Sequence, residues 1–262
     1  MSLNDVFHCS LENRVALITI DRPPLNVLPG EYYHALCNTV LGLIEKKEAR
    51  VVIITGTSKA FISGLDIKDI RAIKTPEENT QFTLEIKALF RRLEKAPRPV
   101  IAAIDGNCFG GGLELALSCH MRLASPGARL ALPEINVGTI PSFGGTQRLP
   151  RVVGRAKALE LLLTGRMVSG EEALSIGLVN AVYPSADLVN QAKIMAGQIA
   201  EKNYQAVEAV VRATTEGLEM EFDKGIVHES TVSSELTGTY NMEEAMAAFF
   251  ERRKPIFKDG TP

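Results

Sequence analysis

VIAAIDGNCFGGGLELALSC, residues 100–119, decides the fold class. Its first five residues are small or β-branched and wholly apolar, the pattern of a strand buried on both faces. A glycine run follows, and LELAL then has the composition of a helix that carries Glu114 near its start. Strand, glycine turn and helix in so short a span make one unit of an α/β protein. The pattern recurs upstream, where Val15–Ile20 and Val51–Ile54 have strand length and β-branched content, and the second runs into another glycine-bearing loop, TGTSKAFISGLD. Between these strands, Phe82, Ile86, Leu89, Phe90 and Leu93 recur at helical spacing over residues 76–96, with Pro97 and Pro99 as stops. A largely parallel sheet is predicted, with both loops leaving the carboxyl ends of strands, where ligands gather.

After about Asp187 the pattern becomes helical throughout. Leu188, Ala192, Met195 and Ile199 form one stripe, Val207, Val210, Val211, Thr214 and Leu218 another, and residues 222–253 read as further helix. The domain reading is a core over residues 1–190 and a helical oligomerisation region over 191–262. Its apolar faces, too many for its size, predict packing on the body or on another subunit.

Composition removes several classes of function. The 262 residues are 45% hydrophobic with a net charge of −2, so a substantial core is available and no basic stripe for nucleic acid exists. No stretch approaches the ~18 apolar residues of a membrane span, and MSLNDVFHCSLENRV lacks a charged start before an apolar run, so a cytoplasmic protein is expected. Cys9, Cys37, Cys108 and Cys119 show no metal or redox spacing and read as reduced core thiols. His8, His34, His120 and His228 lack ligand spacing, and no G-x-S-x-G occurs.

A second glycine-rich stretch, PEINVGTIPSFGGTQRLP at residues 133–150, opens with Glu134. Desolvation disfavours a carboxylate among apolar and glycine residues, so two of them in such settings suggest a shared task. Singly, Glu114 also reads as a first-turn acid favoured by the helix dipole, and Glu134 as an acceptor for the amides of the turn after it. Asp66 in SGLDIKDI stands where a helix N-cap is wanted. The glycines of GGG can bring a backbone N–H to a ligand at a helix N-terminus, and Ser63 or Gly64 in the earlier loop could add a second donor.

KAFISGLDI, GNCFGGGLELALSC, PEINVGTIPSFGGTQRLPRVVG, EALSIGLVNAV and FFERRKPIFKD together resemble the crotonase (enoyl-CoA hydratase/isomerase) superfamily, closest to enoyl-CoA hydratase, from about Val15 to Lys258. The resemblance implies a crotonase-like spiral of ββα units, a C-terminal helical trimerisation region, and assembly as a homo-trimer or as a hexamer made of two trimers. It also implies an acyl-CoA substrate, no metal and no other cofactor. Carried over residue by residue, Ser63 and Gly111 supply the oxyanion-hole amides. Glu114 is the base that activates water, and Glu134 the acid that protonates the α-carbon. Gly64, Leu65, Asp66, Ile67, Pro133, Ser142 and Phe143 line the substrate site, with the Ser142 amide on the water. Leu25 and Val27 lie where relatives contact adenine. The implied reaction is hydration of 2-trans-enoyl-CoA to 3-hydroxyacyl-CoA in fatty-acid or related acyl-CoA degradation.

The sequence departs from the family pattern at Ser63, Leu65, Ser142 and Phe143, where smaller residues are common. One fold hosts several chemistries, so a double-bond isomerase using one carboxylate stays open as an alternative. So does a non-catalytic acyl-CoA-binding subunit. RNA binding, noted for a few relatives, would want a basic face, whereas the helix over residues 31–50 balances acids against bases.

Overall fold

Val51–Thr55 and Val100–Ile104 are buried at every position, which requires cover on both faces. The structure is a computed structural model describing residues 3–57 and 59–258. Met1, Ser2, Ser58 and residues 259–262, which enter the readings of the chain's start, the first glycine loop and the C-terminal region, lie outside the described residues.

The strands are β1 (Phe7–Glu12), β2 (Val15–Ile20), β3 (Val51–Thr55), β4 (Ala60–Ile62), β5 (Val100–Ile104), β6 (Asn107–Phe109), β7 (Met121–Ala124), β8 (Arg129–Ala131), β9 (Val168–Ser169) and β10 (Ala181–Val182). They form a large sheet in the order β1-β2-β3-β5-β7-β10 and a small one in the order β4-β6-β8-β9. The large sheet is parallel except for β1 against β2, and the small one except for β9 against β8. In each of β3–β4, β5–β6 and β7–β8, the first strand joins the large sheet and the second crosses into the small one. Helix follows each pair, so the chain winds forward as ββα units.

The two glycine-bearing stretches after β3 and β5 therefore contain strands where the sequence reads as loop. Three-residue strands are too short to show a period-two pattern. Their partners are close. A Cβ on Gly112 would stand 2.3 Å from the Ile62 carbonyl oxygen, so helix Gly111–Ser118 lies directly against β4.

One face of the large sheet, Val51, Ile53, Ile101, Ala103 and Leu123, packs on Leu188, Ala192, Ala196 and Ala200 of helix Ser185–Ala200. The boundary expected at residue 190 thus falls inside a helix that belongs to the sheet. The opposite face, with Val52, Ile54, Ala102 and Ile104, joins the main core. Helix Pro76–Glu94 starts on a capping box between Thr75 and Glu78. The helix read over residues 222–253 is two, Phe222–Ser234 and Tyr240–Phe250, broken where Gly238 takes φ 74° and Thr239 caps the second. All four cysteines are free; three are buried as read, and Cys9 is exposed on β1.

Asn26, 1% exposed, ties the first crossover together. Its Nδ2 donates to the carbonyls of Ile20 (3.0 Å), Ala60 (2.8 Å) and Phe61 (3.1 Å), and its Oδ1 accepts from the Arg22 amide at 2.6 Å. Asn26→Ala leaves these buried groups unpaired and is expected to lower unfolding free energy by about 2–4 kcal/mol, measured by urea denaturation.

Candidate active site

Glu114 sits in the first turn of helix Gly111–Ser118, all eight residues of which are buried. Its side chain points away from solvent at 1% exposure, where a carboxylate needs donors. Two are supplied: the Phe143 and Gly145 amides each donate to Glu114 Oε1 at 2.8 Å. Gly144, at φ 111°, turns the chain so that both amides face one oxygen. Arg148 braces this turn, donating to the Phe143 carbonyl (3.0 Å) and to Glu94 Oε2 (3.2 Å).

Glu134 opens the 3₁₀ turn Glu134–Val137 just after β8. The Gly110 amide donates to the Ala131 carbonyl at 3.0 Å, drawing the two glycine-rich stretches together. A Cβ on Gly110 would stand 3.0 Å from Glu134 Oε1, and one on Gly145 would stand 3.0 Å from Glu114 Oε1. Glycine at both positions leaves room for the carboxyls. Glu134 Oε2 is enclosed and has no hydrogen-bond partner.

Burial raises both acids. The Glu114 carboxyl is pushed up to about 8 by desolvation and then by the Glu134 charge, against the opposing pull of its two amides. Desolvation pushes Glu134 up to about 7. Burial ranks Glu114 higher because it lies deeper, whereas hydrogen bonding favours charge on Glu114 and leaves Glu134 Oε2 uncompensated. Both acids are thus raised toward neutral pH, and the charge on Glu134 couples the titration of Glu114 to its own.

The backbone amides refine the sequence reading. Gly111 N–H has no acceptor. Ser63 N–H is different: it donates to the Asn26 carbonyl at 3.2 Å, so its expected oxyanion role is not available in this arrangement. The Leu28 amide bonds the Gly64 carbonyl and the Asp66 amide bonds the Leu28 carbonyl, both at 3.0 Å. Backbone alternation then turns the unpaired Leu65 N–H to the other side, where Gly64 approaches Gly110. That the Leu65 N–H is left unpaired was not legible in the sequence, because only the pairing with residues 26–28 reveals which amides are used.

Asp66 caps helix Ile67–Ala72 by accepting from the Lys68 amide at 3.0 Å, as read. Gly64 is buried at φ 115°, Leu65 and Pro133 are half-buried, and Ile67 is exposed. Ser142 is half-buried and its amide has no acceptor. Phe143 is enclosed, its ring centroid 5.9–6.0 Å from those of Tyr33, Phe82 and Phe90. Leu25 is exposed and Val27 half-buried on the segment before helix Gly30–Glu45. Arg148 and Tyr33 went unread; a buried acid that needs amides from a turn also needs that turn fixed, and this is the signal that could have pointed to Arg148.

A sequence profile described as enoyl-CoA hydratase/isomerase matches residues 10–260. The chain belongs to this family. Among relatives of the enoyl-CoA hydratase/isomerase family, a "Probable enoyl-CoA hydratase" of Bacillus subtilis (strain 168) is 38% identical over 95% of this chain and 97% of its own. The "Short-chain-enoyl-CoA hydratase" of Clostridium acetobutylicum is 40% identical, covering 97% of each chain. A crystal structure of the enoyl-CoA hydratase of Bacillus anthracis superposes with a TM-score of 0.91 at 35% identity, over 97% of this chain and 99% of that one. The expected crotonase-type α/β fold of ββα units is thus the fold of this family member.

A carboxyl whose native pKa lies above the ordinary 4.5 binds more protons folded than unfolded, so stability falls as pH rises from there through about 8. Glu114→Gln removes that loss. The variant's gain in Tm over the parent should grow by roughly several degrees between pH 5 and pH 8 in calorimetry, and a constant gap would contradict the raised pKa.

Proposed function

We propose that this protein hydrates 2-trans-enoyl-CoA thioesters to 3-hydroxyacyl-CoA, and the observation that carries the reading is the convergence of two raised carboxyls, Glu114 buried and Glu134 half-buried, on a region edged by unpaired amides. The Gly111 and Leu65 N–H groups receive the thioester oxygen. Glu114, oriented by the amides of Phe143 and Gly145, takes a proton from water as the water oxygen bonds to the β-carbon. The electrons of the carbon–carbon double bond move toward the thioester oxygen, where the two amides stabilise the enolate; loss of one such donor typically costs roughly 3–4 kcal/mol. The enolate then takes the proton from Glu134 at its α-carbon. At the end Glu114 carries a proton and Glu134 a charge, and proton exchange as product leaves restores the starting state.

The Ser142 amide, free of other partners, is available to the attacking water. No step calls on a metal or redox cofactor. The relatives from Bacillus subtilis and Clostridium acetobutylicum, named as hydratases, support the same direction. The acyl group is short in this reading: Tyr33 and Phe143 occupy the space directly beside Gly111, the Tyr33 hydroxyl 2.8 Å and Phe143 Cδ2 3.2 Å from where a Gly111 Cβ would be. A role in acyl-CoA degradation is part of the same proposal, supported by a relative from Brassica napus named as a fatty acid beta-oxidation multifunctional protein. Assembly as a trimer or hexamer is supported by Leu218, Phe222, Phe249 and Phe250, each at least 80% exposed on the C-terminal helices. Among the described residues no helix is long and apolar enough to cross a membrane.

Loss of conjugated enoyl-thioester absorbance tests the reaction. Glu114→Gln and Glu134→Gln should each lower kcat by about 10²–10⁴ while acyl-CoA still binds. Activity that survives loss of Glu114 but not of Glu134 would instead identify an isomerase. Crotonyl-CoA should exceed a ten-carbon enoyl-CoA in kcat/KM by about tenfold or more, since a longer chain must displace packed aromatic rings.

A further inference from the structure

Tyr33 is wholly buried on helix Gly30–Glu45, and its hydroxyl has no hydrogen-bond partner. The ring is already fully used in packing, with centroids 5.9 Å from Phe90 and 6.0 Å from Phe143. Phenylalanine would fill the same volume without enclosing an unpaired polar atom, so the hydroxyl needs a partner that the polypeptide does not provide. Its position says where that partner sits. The hydroxyl lies 2.8 Å from the point a Gly111 Cβ would occupy, beside the amide assigned to the thioester oxygen. Ser63 Oγ, in the loop that approaches Gly110, is a second enclosed hydroxyl without a partner. The wall of the acyl site is therefore apolar in shape but carries unused hydrogen-bonding capacity.

We propose that Tyr33 is a specificity-determining residue whose hydroxyl bonds a neutral polar group, a hydroxyl or carbonyl, carried by a short acyl chain beyond its β-carbon. The inference rests on the acyl-CoA reading above and narrows its substrate class. A charged substituent is disfavoured, because Glu114 and Glu134 face the same region and would repel a carboxylate. A purely aliphatic chain would leave the hydroxyl unpaired in the complex, which is the situation that lets a site reject an analogue lacking the matching group.

The test uses two saturated ligands of nearly equal size that cannot be hydrated, freshly purified 4-hydroxybutanoyl-CoA and pentanoyl-CoA, with calorimetric Kd values for the full chain and for Tyr33→Phe. The parent should bind the hydroxylated ligand about tenfold more tightly, and Tyr33→Phe should abolish or reverse that ratio. The kcat/KM ratio for 4-hydroxycrotonyl-CoA against pent-2-enoyl-CoA should move in the same way. Equal binding of both ligands by the parent, or an unchanged ratio in Tyr33→Phe, would overturn the assignment while leaving hydration intact. Failure to bind either ligand would overturn the acyl-CoA reading itself, and this inference with it.

Discussion

A carboxylate removed from water must be given donors or be given up as a charge, and Glu114 in this protein is given two. The amides of Phe143 and Gly145 converge on one of its oxygens. That single arrangement accounts for much of the surrounding architecture. The turn must contain glycine so that the N–H groups on either side of Gly144 can face one oxygen, and Arg148 holds the turn through the Phe143 carbonyl. Phe143 anchors the same turn from its other side, through a ring packed among Tyr33, Phe82 and Phe90. Core packing and the geometry of the candidate site are thus one construction: the ring belongs to the hydrophobic core, and its backbone amide orients the acid.

The ββα winding brings the second acid to the first. Because β4, β6 and β8 pair side by side in the small sheet, the segments that follow them emerge next to one another. One of these segments carries Leu65, the next Gly111 and Glu114, and the third Glu134 and Phe143. Residues far apart in sequence meet because each crossover repeats the same step between sheets. The shared setting then raises both carboxyls, which is what a reaction that both removes and delivers a proton requires near neutral pH.

What the sequence made legible was whatever leaves a local signature. Val51–Ile54 and Val100–Ile104 announced central strands by unbroken apolarity, Pro76 to Ala96 announced a helix by its spacing and prolines, and Asp66 announced a cap. The two glutamates stood out because acids are unexpected beside glycine runs. Other features depend on contacts between distant segments and leave no such trace. The three-residue strands β4 and β6 are defined by their pairing in the small sheet, β4 on β6 and β6 on β8, and Ser63 loses its amide to Asn26, a residue far upstream. Leu65 gains its place by the same pairing. Tyr33 looks like any helix-face aromatic until the structure shows its hydroxyl enclosed without a partner beside Gly111.

The central claim is that Glu114 and Glu134 form a coupled pair holding about one proton at neutral pH. Carbon-13 NMR of the protein labelled at glutamate side-chain carboxyls, with each Glu→Gln variant used for assignment, reads their protonation directly. The account predicts that both resonances titrate near neutrality, well above the ordinary 4.5, and that removing one acid shifts the titration of the other downward. Two independent titrations close to 4.5 would mean that both are ordinary charged acids at neutral pH, and would contradict the acid and base roles built on their burial.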